Sequence, residues 1–160
     1  MAKKNSFKGE DILLRGLSPE DRNAFLALGV VKAFGAQEYI IRDGTPGDAL
    51  YILRKGRVSI WKDDVKLGEL SEGDVFGEAV ILHPHNRIAC VRTERPSEVL
   101  EFKRDELLNF FKWREEKLFK YFILNIISLL LDKLNRANER IIHLEHTFRE
   151  QIAWLVGNKG

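Results

Sequence analysis

The chain has 160 residues, of which 44% are hydrophobic, and this suits one domain plus an extension with enough apolar side chains for a core. Its 26 basic and 24 acidic residues leave a net charge of only +2, which makes no case for a nucleic-acid-binding face. A single cysteine, Cys90, excludes an intrachain disulfide and is compatible with a reducing compartment. The amino terminus lacks the apolar run of a signal peptide, and the longest apolar run, Tyr121 to Leu131, is too short to span a bilayer. We therefore expect a soluble, cytoplasmic protein.

The first predicted element is a helical region from Gly9 to Gly29. Ser18 followed by Pro19 is typical of a helix cap and a first helical residue, so a helix is predicted to start there. Gly29 is predicted to end it. The side chains predicted to form the buried stripe before this end are Phe25, Leu26 and Leu28.

From Val30 to Phe102 the pattern changes to short strands separated by turns. The predicted strands are Val30–Phe34, Glu38–Arg42, Ala49–Arg54, Arg57–Lys62, Val65–Leu70, Asp74–Phe76, Arg87–Thr93 and Ser97–Phe102. Eight short strands at this spacing are typical of a closed antiparallel barrel or a jelly roll. The chain between them holds no helix long enough for a parallel crossover, which argues against a Rossmann-type fold.

From Asp105 the chain is predicted to be helical almost to its end. Apolar residues recur at alternating steps of three and four and so place eleven positions on one face: Phe119, Ile123, Ile126, Leu130, Leu134, Ala137, Ile141, Leu144, Phe148, Ile152 and Leu155. The outer face carries two predicted i,i+4 ion pairs, Asp132 with Arg136 and Glu145 with Arg149.

A small β-roll cannot bury so long an apolar seam by itself. A second copy of the same helix is the favoured partner, which predicts a two-fold homodimer; the alternative is a helix folded back on its own roll. We accordingly divide the chain into residues 1–118, the roll with its first helix, and residues 119–160, the dimerisation helix with a short tail.

The stretch from Gly73 to Val91 has the residues of an anion site. Gly77 lets the backbone approach a ligand closely, because it has no Cβ. The turn after it can point backbone amides at an anion, and Arg87 can close on that anion as a permanently charged clamp. A carboxylate at Glu78 suits a hydroxyl donor such as a ribose. A phosphate and a sugar hydroxyl together predict a nucleotide.

The order of these elements, and glycine landmarks within them, resemble the cyclic-nucleotide-binding domain family. That family includes the bacterial catabolite activator, the regulatory subunit of protein kinase A and cyclic-nucleotide-gated channels. The resemblance extends from about Ile12 to Leu144, and it is carried by Gly35, Gly47–Leu53, Lys55–Val58, Gly73–Glu78 and Arg87–Val91. It implies an α+β fold, in which an eight-stranded antiparallel β-roll (a jelly roll, or double-stranded β-helix) lies between an N-terminal helix and a long C-terminal helix.

The same resemblance implies which residues bind the ligand: Gly77, Glu78, Ala79, Arg87, Ile88, Ala89 and Asn138. Glu78 would bind the ribose 2′-hydroxyl and Arg87 the cyclic phosphate. Ile88 and Ala89 would close the phosphate site with their backbone. Asn138, on the long helix, would contact the base.

Two departures from the family pattern bear on which nucleotide is bound and on whether the protein binds DNA. A small or hydroxyl residue often follows the arginine in the family, and a hydroxyl there commonly helps guanine recognition, so Ile88 favours cAMP over cGMP. Ile88 also leaves open a lower affinity or a cassette that no longer binds. Activator-type members continue into a winged helix-turn-helix, whereas this chain stops at Gly160, so no DNA binding is expected. A fragment of a longer transcription factor or channel is an alternative.

We therefore expect a cyclic-nucleotide sensor, with cAMP or else cGMP as its ligand, that signals through a homodimer helix to an unidentified protein. The alternative is a degenerate β-roll that serves as a dimeric scaffold or partner-binding module. The histidines at 83, 85, 143 and 146 lack cysteines or carboxylates in a coordinating pattern, so no metal or other cofactor is expected. No nucleophile, base and orienter occur together, and the metal-binding pattern of cupin enzymes is missing, so we expect no catalysis. We also expect no membrane association.

Overall fold

The computed structural model of the protein describes residues 8–157. The expectations for the first residues and for the tail after Gly157 lie outside this range. Two compact units make up the structure, Met1–Ile126 and Ile127–Gly160. The described helices are α1 (Gly9–Leu13), α2 (Pro19–Leu26), α3 (Ala79–Leu82), α4 (Arg104–Lys112) and α5 (Glu116–Gly157). The described strands are β1 (Val30–Phe34), β2 (Tyr39–Ile41), β3 (Ala49–Lys55), β4 (Arg57–Lys62), β5 (Val65–Ser71), β6 (Val75–Phe76), β7 (Cys90–Thr93) and β8 (Ser97–Lys103).

The described strands form two four-stranded antiparallel sheets, in the orders β1–β8–β3–β6 and β2–β7–β4–β5. This confirms the predicted jelly roll. The sequence also allowed a closed barrel, and residues 8–157 do not form one. Apolar side chains from both sheets meet in one core, among them Ile41, Leu53, Val58, Phe76, Val91 and Val99.

The predicted helix start at Ser18 is confirmed. The Ser18 hydroxyl accepts a hydrogen bond of 3.1 Å from the backbone amide of Asp21, and Pro19 is the first helical residue. Such a cap satisfies one of the amides that a helix start leaves without a partner. The helical region before it is interrupted at Gly16, whose φ of +85° suits glycine, so α1 and α2 are separate helices.

A cluster of phenylalanines joins β8 to α2, α4 and the start of α5. Phe25 is fully buried, and its ring centroid lies 5.1 Å from that of Phe102 and 5.6 Å from that of Phe122. Phe111 stacks on Phe122 at 4.7 Å. The predicted single helix after Asp105 is therefore wrong at one point, because the chain turns between Lys112 and Glu116 and lets α4 and α5 pack on the same rings.

The buried stripe at the start of α5 differs from the predicted seam. Of the predicted seam positions in this part, Ile126 is fully buried, whereas Phe119 and Ile123 are only half-buried. The other buried positions lie outside the predicted seam: Leu118, Phe122 and Asn125. Packing on the phenylalanine cluster and two hydrogen bonds of Asn125 decide which face of α5 is buried. The Asn125 amide nitrogen donates to the carbonyl oxygens of Leu13 at 3.0 Å and Arg15 at 2.8 Å.

The second unit consists of the rest of α5. Leu129, near its start, is buried, whereas most of the large apolar side chains after Leu130 are exposed. The exposed fraction is 55% for Leu134, 59% for Ile141 and 62% for Phe148. Both predicted ion pairs form, Arg136 with Asp132 at 2.8 Å and Arg149 with Glu145 at 3.7 Å. Within residues 8–157, the apolar stretches of the helices fall short of what crossing a membrane requires.

Candidate functional site

Arg87 lies in a loop that is tied to a second loop. Its backbone amide donates to the carbonyl of Thr45 at 2.8 Å, and its carbonyl accepts from the amide of Gly44 at 2.8 Å. Pro46 and Asn86 form an isolated antiparallel bridge beside this pair. The predicted strand beginning at Arg87 is therefore wrong, since β7 begins at Cys90 and the preceding residues pair with the turn between β2 and β3.

The Arg87 side chain is buried, with 8% of the residue exposed. Its Nη1 donates to the carbonyl oxygen of Gly77 at 3.0 Å, and its Nη2 donates to that of Ala49 at 2.6 Å. Burial lowers the pKa of Arg87, and the neighbouring Tyr51 and Asp48 oppose this shift. An arginine stays protonated at neutral pH, so the site holds a buried positive charge.

Two glycines leave the space that Arg87 occupies. A Cβ on Gly47 would lie 2.6 Å from Nε of Arg87 and 2.7 Å from Cγ1 of Val80. Gly77 has a φ of +72°, and a Cβ there would lie 2.9 Å from Nη1 of Arg87. A side chain at either position would displace the guanidinium, so both sequence landmarks serve its placement.

An open cavity of about 260 Å³ lies against Arg87. It is lined by β2 with the following Arg42, by the loop residues Thr45, Pro46 and Asp48, and by Tyr51 and Arg87. The cavity thus combines the buried guanidinium with an aromatic ring, a hydroxyl and a carboxylate. A lining with this many polar and charged groups suits a charged small molecule better than an apolar one.

The structure brings three of the predicted site residues together. Glu78 is 2% exposed and directly precedes α3, which begins at Ala79. Its charge favours the protonated form of Arg87, and Gly77 accepts the hydrogen bond from that side chain. Gly77, Glu78 and Arg87 therefore form one local cluster.

The other predicted residues lie differently. Ile88 is 72% exposed, and the cavity is lined by other residues, so its bulk does not fill that space. Ala89 is half-buried in the same loop. Asn138 is exposed on α5 in the second unit, and its contact with a base stays a prediction.

Sequence reasoning assigned no role to several polar residues of the cavity, among them Asp48 and Tyr51. Both lie in a glycine-led segment that carried the family resemblance. Tyr51 stands in the apolar run Ala49–Leu53, where a tyrosine reads as a core residue. Burial raises the pKa of Tyr51 to about 12, and the charge of Glu101 contributes to the rise.

The residues that could ligate a metal ion do not come together within residues 8–157. Within that range, His, Cys, Asp and Glu side chains do not gather in groups of three that suit a metal ion. The half-buried Cys90 thiol accepts a hydrogen bond of 3.3 Å from the backbone amide of Asp43.

Comparisons with known proteins agree with this geometry. A family model described as the cyclic nucleotide-binding domain matches residues 31–113, more than half of the chain. Over 62% of its length, the chain is 37% identical to the cAMP-dependent protein kinase regulatory subunit of Emericella nidulans. It spans only 25% of that protein, and a similar or smaller share of the next curated relatives.

Solved structures share the architecture. A cyclic nucleotide-binding domain from Methylobacillus flagellatus superposes with a TM-score of 0.75 over 83% of this chain and 80% of that one, at 21% identity. The regulatory domain of Toxoplasma gondii PKA, solved as a co-crystal with cAMP, is 28% identical, with a TM-score of 0.56 over 62% of this chain and 40% of that one. The chain therefore belongs to the cyclic nucleotide-binding domain family.

Proposed function

We propose that the protein is a regulatory cAMP sensor in which Arg87 clamps the cyclic phosphate. The observation that carries this proposal is the buried guanidinium of Arg87, held beside Gly77 and Glu78 at the edge of a cavity. A guanidinium pairs with two phosphate oxygens at once and keeps its charge at any physiological pH. A ligand with one negative charge and a compact body suits this site.

The hydrogen bonds of Arg87 leave room for a phosphate. Its recorded acceptors are two backbone carbonyls, which carry only partial negative charge. A guanidinium has five N–H groups, more than these two bonds use. An entering phosphate would supply the full countercharge in a site where burial already disfavours the cation.

The ribose would be held by Glu78. This carboxylate is 2% exposed, so a hydroxyl donor from the ligand would add to the bonds that hold its charge. The 2′-hydroxyl of a cyclic nucleotide is such a donor. Recognition of phosphate and ribose together distinguishes this ligand from inorganic phosphate.

The choice of cAMP over cGMP rests on two supports. Ile88 supplies no hydroxyl after Arg87, where a hydroxyl commonly helps guanine recognition in the family. The Emericella nidulans relative is a cAMP-dependent kinase subunit, and the Toxoplasma gondii domain was crystallised with cAMP. Both supports favour adenine.

The exposed seam of α5 would pair with the same seam of a second copy. Its distal apolar residues are about half exposed or more, which is uncommon for a helix that has no partner. A copy of the same helix offers a matching seam, as in two-stranded coiled coils. The sensor would then be a homodimer that passes the ligand signal to an unidentified protein, without catalysis of its own.

Calorimetry with cAMP tests the clamp. Replacing Arg87 by alanine is expected to cost about 2–5 kcal/mol of binding free energy, because a buried phosphate would lose its charged partner. The matched control is Arg57→Ala, whose exposed side chain pairs with Glu69 at 3.7 Å, and it should bind as the wild type does. Circular dichroism of each variant verifies the fold.

Equal affinity in wild type and Arg87→Ala would remove the clamp role. Tighter binding of cGMP than of cAMP would reverse the assignment of the base. If the folded wild type bound neither nucleotide at millimolar concentration, the rival function, a degenerate β-roll that acts as a scaffold, would replace the sensor.

A further inference from the structure

Tyr51 lies directly beneath the Arg87 side chain. It is 8% exposed and lines the same cavity, and Cζ of Arg87 lies 5.9 Å from the centroid of its ring. The ring stacks on Phe76, with centroids 5.1 Å apart and planes 15° from parallel. Phe76 precedes Gly77, whose carbonyl accepts from Arg87. The tyrosine ring is thus fixed against the segment that also fixes the guanidinium.

A buried carboxylate stands beside the tyrosine. Glu101 on β8 pairs in register with Tyr51 on β3, so their side chains leave the sheet on the same face. Glu101 is 6% exposed, and its Oε1 lies 2.9 Å from Nζ of Lys32 and 3.7 Å from Nζ of Lys103. The two lysines balance its charge, which a buried carboxylate requires.

The Tyr51 side chain lies beside both the carboxylate and the arginine, since Glu101 is its cross-strand neighbour and the Arg87 guanidinium lies over its ring. Burial and, after it, the charge of Glu101 raise the pKa of Tyr51 to about 12, so the hydroxyl keeps its proton at neutral pH. A protonated phenol can donate one hydrogen bond and accept another, and each such bond strengthens the next.

We propose that the Tyr51 hydroxyl donates to Glu101 and accepts from the Arg87 guanidinium, which makes Tyr51 a positioning residue that orients the guanidinium toward an anionic phosphate in the cavity. The proposal rests on the proposed function, since it concerns how the same site reaches its affinity. The charge of Glu101 is balanced by Lys32 and Lys103. Glu101 therefore anchors the tyrosine and does not form an ion pair with Arg87. The phenol gives the guanidinium a fixed acceptor that does not neutralise it.

Tyr51→Phe is the direct test, because it keeps the ring on Phe76 and removes only the hydroxyl. We expect the calorimetric affinity for cAMP to fall about tenfold, the scale of one hydrogen bond to a charged group. In an Arg87→Lys background the same change should alter affinity less than about twofold, because the partner of the hydroxyl is gone. Tyr121→Phe, at an exposed position on α5, is the matched control and should bind as the wild type does.

A second readout needs no ligand. The ¹⁵Nε–Hε resonance of Arg87, identified by its loss in Arg87→Lys, should shift or broaden in Tyr51→Phe and stay unchanged in Tyr121→Phe. Glu101→Gln, which keeps the shape of the anchor but not its charge, should move the resonance in the same direction by less. This variant carries the test if Tyr51→Phe does not fold.

The outcomes separate this inference from the proposed function. An Arg87 resonance unchanged by both Tyr51→Phe and Glu101→Gln overturns the positioning role even if cAMP binds. An affinity loss of equal size in the wild-type and Arg87→Lys backgrounds also overturns it, because it shows a general structural effect. If the wild type binds neither cAMP nor cGMP, the sensor fails, and the resonance in the free protein alone decides whether Tyr51 positions Arg87.

Discussion

The β-roll and the second half of α5 depart from the usual burial of residues in opposite ways. The roll buries a charged side chain, Arg87, of which only 8% is exposed. The distal helix exposes large apolar side chains, such as Phe148 at 62%. A buried polar group and an exposed apolar patch are the informative departures, since a lone surface leucine needs no explanation.

The Arg87 site and the helix seam therefore suit different kinds of binding partner. Arg87 is held by carbonyls and glycine-made space inside a fixed fold, so its missing partner is a small anion of defined shape. The helix seam is long, apolar and repetitive, so its missing partner is another helix. The first half of α5, with Phe122 fully buried, shows how the same helix behaves once its apolar side chains are covered.

The largest expected effect separates the two halves of α5. Phe122→Ala removes a ring that stacks on Phe111 and packs on Phe25, and it should lower the free energy of unfolding by about 3–5 kcal/mol. Trp154→Ala is the comparable change at an exposed aromatic residue outside the seam and should cost less than about 1 kcal/mol. Urea unfolding followed by circular dichroism measures both. Equal losses would erase the contrast between the halves.

The next effect concerns the seam. Ile141→Glu places a charge on the apolar seam and should raise the dimer dissociation constant at least about tenfold, because each copy would bury a carboxylate. The neighbour Ile142, equally exposed but outside the seam, is the control, and Ile142→Glu should leave the constant within about threefold. Sedimentation equilibrium gives both values. A wild type that remains monomeric at high concentration would remove the dimer.

A third effect probes the burial of the roll's polar groups. The folded state holds the Tyr51 proton up to a pKa of about 12, against an ordinary value of 10.0, so its stabilisation is complete below pH 10 and is lost as the pH rises through 12. That loss should amount to at most about 2.7 kcal/mol of unfolding free energy, and to less where solvent reaches the phenol through the open cavity. Phenolate absorbance, with Tyr51→Phe as the difference, follows the titration. A Tyr51 phenol that titrates near pH 10 would show that water reaches its hydroxyl in the folded state.

The smallest effect concerns the cap of α2. Ser18→Ala removes the cap of α2 and should cost about 1 kcal/mol, with cAMP affinity unchanged. Ser18→Asp retains a capping oxygen and should recover most of that loss in thermal unfolding. A change in affinity with either variant would mean that the helices and the cavity are coupled more tightly than their separate contacts indicate.

The strands were largely predictable from the sequence, because turn residues and alternating apolar positions bound them. The predicted Val30–Phe34 and Arg57–Lys62 match the structure at both ends. Arg87 was wrongly placed in a strand, since periodicity does not reveal that its backbone pairs with Thr45 and Gly44. Such a pairing between two loops leaves no local pattern.

The site was predictable where a backbone constraint fixes a residue type. Gly47 and Gly77 stood out because the guanidinium needs the space of their missing Cβ atoms. Tyr51 did not, because an aromatic residue in an apolar strand has the same pattern whether or not its hydroxyl lies beside a cavity. The buried stripe of α5 was predicted only in part. Ile126 is buried as the seam predicted, but the burial of Asn125 depends on carbonyls more than a hundred residues away.

A crystal structure of the protein grown with cAMP tests the central claim most directly. The account predicts nucleotide density in the cavity, with the cyclic phosphate within hydrogen-bond distance of the Arg87 guanidinium and the ribose 2′-hydroxyl at Glu78. An empty cavity at saturating cAMP, or a nucleotide bound with its phosphate away from Arg87, would contradict it.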